Sequence, residues 1–290
     1  MGSNRGVKRG VRAALVAALC IAASPAFAGD RLLATAGAQM IEGAGGGGIV
    51  PWALIAGYGT NRQIGGSAFY TRVDSSDFGL QSTGLAIGFF DRVEVSFARQ
   101  RFDAGSVIPD LVLRQDVIGA KVRVLGDAVY EQDRWWPQVS IGVQHKKNTD
   151  FDVPSAVGAK DQKDTELYVA ATKIWLAGFH GHTVLANLTV RSTRANQMGL
   201  LGFGGDKKDS RSLQPEGSLA VLLTDTLVLG AEYRAKPDNL SAFKEQDFKD
   251  VFLAWFPHRN VAVTAGVAHL GTIAGKPSQM GTYISLQLTH

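Results

Sequence analysis

The chain has 290 residues, with 30 basic and 26 acidic side chains, a formal net charge of +4, 34 glycines and one cysteine. Four basic residues, Arg5, Lys8, Arg9 and Arg12, stand near the start, so the chain from residue 29 onward carries 26 residues of each sign and no net charge. The basic isoelectric point therefore belongs to the N-terminus and points to no nucleic-acid partner, and past residue 28 no apolar run is long enough for a membrane-spanning helix.

Residues 1–28 read as a cleaved secretory signal peptide. A basic region is followed by an apolar core over 13–23 and by Ala26-Phe27-Ala28, a small-residue cleavage site that would leave Gly29 first. Cys20 lies inside this core behind Leu19, where a lipid-anchoring site needs a small residue, so no lipid anchor is expected. The exported part, a single domain over 29–290, then has no cysteine and must be stabilised without disulfides.

The first elements are a weak run at 31–41 and the glycine-rich stretch GAGGGG at 43–48. That stretch lacks the Gly-Lys-Ser/Thr of a phosphate-binding loop and runs into Ile49-Val50-Pro51, so a flexible connection or bulged strand end is expected. Strand-like runs follow at 52–58 and 64–72, with a turn at 59–62. Runs at 78–90 and 93–102 flank the tight turn Asp91-Arg92. Residues 113–125 form the next run, and Trp135-Trp136 open another, in which Val139, Ile141 and Val143 oppose Gln138, Ser140 and Gln144. Adjacent tryptophans at a strand end suit an aromatic girdle at a membrane interface.

A long polar loop at 147–164 precedes a hairpin of 166–176 with 183–194. A second long loop at 195–212 leads to the hairpin 213–234. There Leu219, Val221, Leu223, Leu227 and Leu229 share one face, while Glu216, Glu232 and Arg234 share the other. If Thr224-Asp225-Thr226 is the whole turn, Leu223 lies opposite Leu227 and Glu216 opposite Arg234, a predicted salt bridge inside a barrel. Runs at 247–256 and 260–270 pair across 257–259, and 280–290 is the last run.

The connections alternate in length. Those near 60, 91, 130, 180, 225 and 258 are short, and most of those near 107, 155, 204, 241 and 275 are longer and more polar. An outer-membrane barrel sorts its loops this way, with short periplasmic turns and long external loops. The expected fold is thus all-β, a transmembrane antiparallel up-and-down barrel. Thirteen runs from residue 52 plus the run at 31–41 give 14 strands. The alternative is 12, with the glycine-rich segment and its neighbours tucked inside or left at the periplasmic end. The final run places Ile284, Leu286, Leu288 and His290 on one face, similar to the C-terminal signal read by the barrel-assembly machinery, although that signal usually ends in Phe.

Five blocks, PWALIAGYGT (51–60), AFYTRVD (68–74), DRVEVSFARQRFD (91–103), GDAVYEQDRWWPQ (126–138) and LVLGAEYRAKPDNLSAF (227–243), together resemble a proteobacterial domain-of-unknown-function family of exported outer-membrane barrel proteins. The resemblance spans nearly all of the exported chain and implies location and architecture. That family has no known activity, so it assigns no residue a role.

Chemistry has to come from the residues. His180-Gly181-His182 offers too few ligands for zinc, Asp150, Asp152, Asp161 and Asp164 lack calcium-loop spacing, and no cofactor is expected. His145, His258 and His269 have no local nucleophile as partner, so an outer-membrane hydrolase ranks last. The inward faces carry Glu94, Lys121, Arg123, Arg191, Glu216, Glu232 and Arg234, because an unpaired charge facing lipid costs about 2 to 4 kcal/mol near the midplane. The function expected is porin-like passive passage of small solutes through a mixed-charge lumen. The second reading is a non-conducting structural or adhesive barrel. The partners expected are outer-membrane lipids, lipopolysaccharide and the assembly machinery. No feature sets an oligomeric state.

Overall fold

Strict period-two alternation gives strands whose two faces meet different surroundings, and here the alternation closes on itself. The computed structural model describes Leu33 and residues 37–290. The expected leader, 1–28, lies outside the described residues. A small ribbon of β1 (Ala38–Gln39) and β2 (Gly45–Gly46) comes first. It is followed by β3 (Ile64–Ser75), β4 (Gly79–Phe89), β5 (Val93–Asp103), β6 (Val112–Leu125), β7 (Gln138–Asn148) and β8 (Lys163–Phe179). Then come β9 (His182–Thr193), β10 (Ser212–Thr224), β11 (Leu227–Arg234), β12 (Phe248–His258), β13 (Val261–Ile273) and β14 (Lys276–Thr289). Strands β3 to β14 form one closed antiparallel barrel in which each pairs with its sequence neighbours and β14 returns to β3. Closure leaves no open sheet edge.

The barrel has 12 strands and not the 14 expected first. The described part of the run at 31–41 and all of 52–58 stay out of the wall and lie inside it. The reason is visible in burial. Val50, Trp52, Ala53, Leu54, Ile55, Ala56 and Tyr58 are all at most 4% exposed. A wall strand must present every second residue to the outside, and this segment presents none. Its sequence is apolar on both parities, which suits a segment enclosed from all sides.

The outer face of the barrel is oily. Leu85, Ile87, Val95, Ile118, Ile141, Val169, Leu188, Leu219, Leu229, Val251, Leu253 and Ile284 are all exposed, an apolar area far larger than a water-facing surface carries. Near the end with tight turns the outer face is aromatic, with Phe90, Tyr130, Trp135, Trp175, Phe179 and Trp255 exposed. The expected sorting of loop lengths holds in part: 126–137 at the tight-turn end is long where a short turn was expected, and 274–275 at the opposite end is a two-residue turn where a longer loop was expected. The opposite end has the connections 76–78, 104–111, 149–162, 194–211, 235–247 and 274–275. These hold a short helix, α1 (Asp152–Ala156), and a 3-10 turn, Asn196–Gly199.

In the β10–β11 hairpin Glu216 lies opposite Arg234. Leu223 does not lie opposite Leu227, however: Leu222 pairs with Val228 and Thr224 with Leu227, leaving Leu223 as a bulge. A two-residue turn plus one bulged residue has the same parity as a three-residue turn, so the facing of every other residue is unchanged.

Candidate functional site

Residues 37–58 run through the barrel interior, and the wall grips their main chain with side chains. Glu94 on β5 accepts from the amides of Gly45 (3.0 Å) and Ala56 (2.8 Å). Lys121 on β6 sits 3.1 Å from Glu94 Oε2 and donates to the carbonyls of Gly45 (2.9 Å) and Trp52 (3.1 Å). Across the lumen Glu232 on β11 accepts from the amides of Gly48 (2.7 Å) and Ile49 (2.8 Å). Gln138 and Ser140 both donate to Ala53 O at 2.6 Å, Thr189 donates to Pro51 O at 2.8 Å, and Gln100 and Ser82 donate to Ile41 O. Backbone polar groups taken into a barrel need such partners, because leaving them bare costs roughly 1 to 3 kcal/mol each.

The glycine run is what lets the wall come this close. A Cβ on Gly47 would stand 1.9 Å from Glu232 Oε1. Gly43, with φ of +95°, makes a bend in the left-handed region that other residues avoid. The stretch cradles anions after all, but they are carboxylates of its own barrel.

At the centre lies an ion cluster. Glu42, from the enclosed segment, contacts Lys146 on β7, Arg234 on β11 (2.9 Å) and Arg191 on β9 (4.0 Å). Arg191 also reaches Glu216 on β10 at 2.5 Å and Glu166 on β8 at 3.0 Å, Lys146 reaches Glu166 at 2.7 Å, and Arg234 reaches Glu216 at 3.4 Å. Three cations thus face three carboxylates, one of which belongs to the enclosed segment. The cluster is neutral only while Glu42 is in place.

The rest of the segment is held by packing. Val50, Trp52 and Leu54 share a buried cluster with Phe248, Phe252 and Phe256 of β12, and Trp52 Nε1 donates to Ser218 Oγ at 2.8 Å. Each such side chain contributes about 1.5 to 3 kcal/mol on full burial.

Of the residues singled out in the sequence, Arg191, Glu216 and Arg234 enter the ion cluster, Glu94 and Lys121 form the pair that grips Gly45, and Glu232 holds Gly48 and Ile49. Arg123 lies apart, bridging Asp91 and Asp127 at 2.9 Å each near the tight-turn end. Glu42, Lys146, Glu166 and Asp250, the last an inward-facing carboxylate of β12 that accepts from the Tyr283 hydroxyl at 2.7 Å, were missed. Lys146 shares parity with Gln138, Ser140 and Gln144, and Asp250 with the buried Phe248 and Phe252, so their facing was available from alternation. Nothing local marks Glu42. The loop aspartates serve as counter-ions: Asp150 pairs with Arg114, and Asp161 and Asp164 with Arg194. His145, His258 and His269 fall on β7, β12 and β13 and do not converge.

Residues 35–287 match the model of a family described as "Protein of unknown function (DUF3034)". The chain belongs to this family. Membership agrees with the resemblance read from the five sequence blocks. No curated protein matches the chain. Among solved structures, the DUF3034 chain is similar to the KdgM porin at 9% identity, with 77% of this chain and 98% of that one covered and a TM-score of 0.48. It is similar to the COG4313 outer membrane channel from Pseudomonas putida F1 at 13% identity, with 83% and 97% covered and a TM-score of 0.45. For Omp33, an outer membrane protein of Acinetobacter baumannii, the values are 9%, 79%, 98% and 0.44. These are likenesses of barrel architecture. What this DUF3034 barrel does has to be read from its own residues.

Proposed function

We propose that this DUF3034 protein is an outer-membrane barrel and a porin-like channel for small solutes, closed by its own segment 37–58 and opened when that segment moves. The observation that carries the reading is how the segment is held: wall side chains bind its main chain and Glu42 through hydrogen bonds and ion pairs. Each hydrogen bond to a charged wall side chain adds about 1.5 to 3 kcal/mol net, less than in isolation because water replaces it when it breaks. The lumen wall left behind would be of mixed charge, with an apolar stripe at Phe248, Phe252 and Phe256 of β12 and one uncompensated cation in the central cluster.

The outer surface supports the location. The apolar belt suits lipid, and the aromatic residues at the tight-turn end suit an interface. Toward the loop end the outer face carries Arg72, Arg99 and Arg114, each paired with an aspartate at 2.7 to 2.9 Å, at the level where phosphate-bearing headgroups such as those of lipopolysaccharide would lie. The exposed Ile284 and Leu286 of β14, with Leu288 and His290, are proposed as the face the barrel-assembly machinery reads, after export by the N-terminal signal. The second reading, a non-conducting structural barrel, is favoured by the packing of Val50, Trp52 and Leu54 against β12.

Planar-bilayer recordings separate the two. The intact protein is expected to give a quiet baseline with brief openings, and a variant lacking 37–58 a sustained conductance. Two folded proteins that are equally silent would sink the channel reading.

A further inference from the structure

Between the enclosed segment and the external loops lies a second space of a different kind. Ala38, Ile41 and Ile49 of the segment form its floor. Leu80, Phe102, Leu113, Phe248 and Ala268 form its wall, and Ile108, Leu111, Val153 and Phe243 of the external connections form its roof. The cavity measures about 160 Å³.

Most polar side chains that reach this cavity are already committed. Thr71 Oγ1 and Ser285 Oγ hold each other at 2.7 Å. Tyr283 donates to Asp250 at 2.7 Å, and Gln197 Nε2 donates to Glu245 at 2.9 Å and to Thr272 O at 3.0 Å. Gln39 Nε2 donates to Gly43 O at 2.8 Å. A polar solute entering here would shed water and find few free groups in return, which costs several kcal/mol per unsatisfied group. An apolar solute sheds nothing it needs. Enclosed apolar cavities of about 150 Å³ lined by Leu, Ile and Phe stay dry and take up benzene.

We infer that this chamber is a binding site for a small uncharged apolar molecule, about the size of one aromatic ring. The site lies on the loop side of the enclosed segment, so a molecule bound there has passed the external loops and rests on the floor that Ala38, Ile41 and Ile49 provide. It does not require the channel reading: a barrel that conducts no ions would bind the same ligand.

The test uses the full exported chain in lipid nanodiscs with fluorobenzene as probe, followed by fluorine NMR against empty nanodiscs. A saturable signal specific to the protein is expected. Ala268→Phe, which fills the chamber, should weaken it at least tenfold, and Leu113→Ala, which enlarges the chamber, should bind para-fluorotoluene better than the parent does. Absence of any signal beyond lipid partitioning, or an unchanged signal in folded Ala268→Phe, overturns the proposal. Should Ala268→Phe not fold, failure of Leu113→Ala to shift the preference overturns it equally. Conductance recorded on the same preparations keeps the two readings distinct: binding without conductance removes the channel alone, and conductance without binding removes the site alone.

Discussion

Glu42 and Arg234 meet at 2.9 Å inside the barrel, although 192 residues separate them in the chain. Their contact makes the enclosed segment part of the charge balance of the wall. Glu42→Gln keeps the shape of the side chain and removes its charge, leaving Lys146, Arg191 and Arg234 facing only Glu166 and Glu216. Removing one partner from a buried ion network costs about 3 to 5 kcal/mol. Denaturant unfolding is expected to show a loss of that order, and bilayer recordings more frequent openings. Unchanged stability and conductance would show that Glu42 is not what holds the segment.

Gly47→Ala should act through Glu232. The added methyl would occupy the place of Glu232 Oε1, so Glu232 must release the amides of Gly48 and Ile49. Limited proteolysis is expected to cut the variant within 37–58 while leaving the parent intact. Gly66→Ala, whose Cβ would meet nothing nearer than Ala86 O at 3.5 Å, should behave like the parent.

Trp52 offers an optical reporter of the segment. It is 4% exposed, whereas Trp135, Trp175 and Trp255 are 86%, 43% and 51% exposed on the outer face. In a Trp136→Phe background, which removes the one half-buried tryptophan, brominated lipids should quench the outer tryptophans and leave a residual emission that Trp52→Phe abolishes. Complete quenching of the parent would place Trp52 in contact with lipid and contradict an enclosed segment.

The long loops at the end away from the tight turns should respond to acid. Asp206 accepts from the Ser241 amide at 3.0 Å and Asp238 from the Glu245 amide at 3.2 Å, while Lys207 pairs with Asp238. The Ser241 hydrogen bonds hold the Asp206 carboxyl below the usual range. For Asp238, burial acts upward but is outweighed by hydrogen bonds from Lys207 and the Glu245 amide. A carboxyl with a lowered folded pKa contributes stability that is present above the unfolded value of about 3.9 and is lost as pH falls below it. Amide-exchange protection at Ser241 and Glu245, corrected for intrinsic rates, should therefore hold at pH 6 and fall below about pH 4. The Phe256 amide, bonded to Thr226 O at the opposite end, should keep its protection.

Much of the wall was legible because a barrel strand obeys one rule: residues of one parity face out. Leu219, Leu229 and Glu216 follow it and needed only counting. The enclosed segment was harder, because residues 52–58 have the length and oiliness of a strand, and only the absence of polar residues on either parity separates them from one. A second signal stood on β12. Phe248, Phe252 and Phe256 share the inward face with Asp250, and a water-filled lumen gives three phenylalanines nothing to pack against. Their partners Val50, Trp52 and Leu54 are some 200 positions earlier, beyond the reach of periodicity. The ion cluster was half legible for the same reason. Arg191, Glu216 and Arg234 lie on regular strands, whereas Glu42 gains its role only from the fold.

The carbonyl of His290 accepts hydrogen bonds from two amides, that of Gly66 at 2.9 Å and that of Tyr58 at 3.2 Å. One atom thus ties the seam between β14 and β3 to the exit of the enclosed segment. A pull on the segment at Tyr58 would load that seam before any other joint of the barrel, so the cork and the stave that closes the cask share a single fastening.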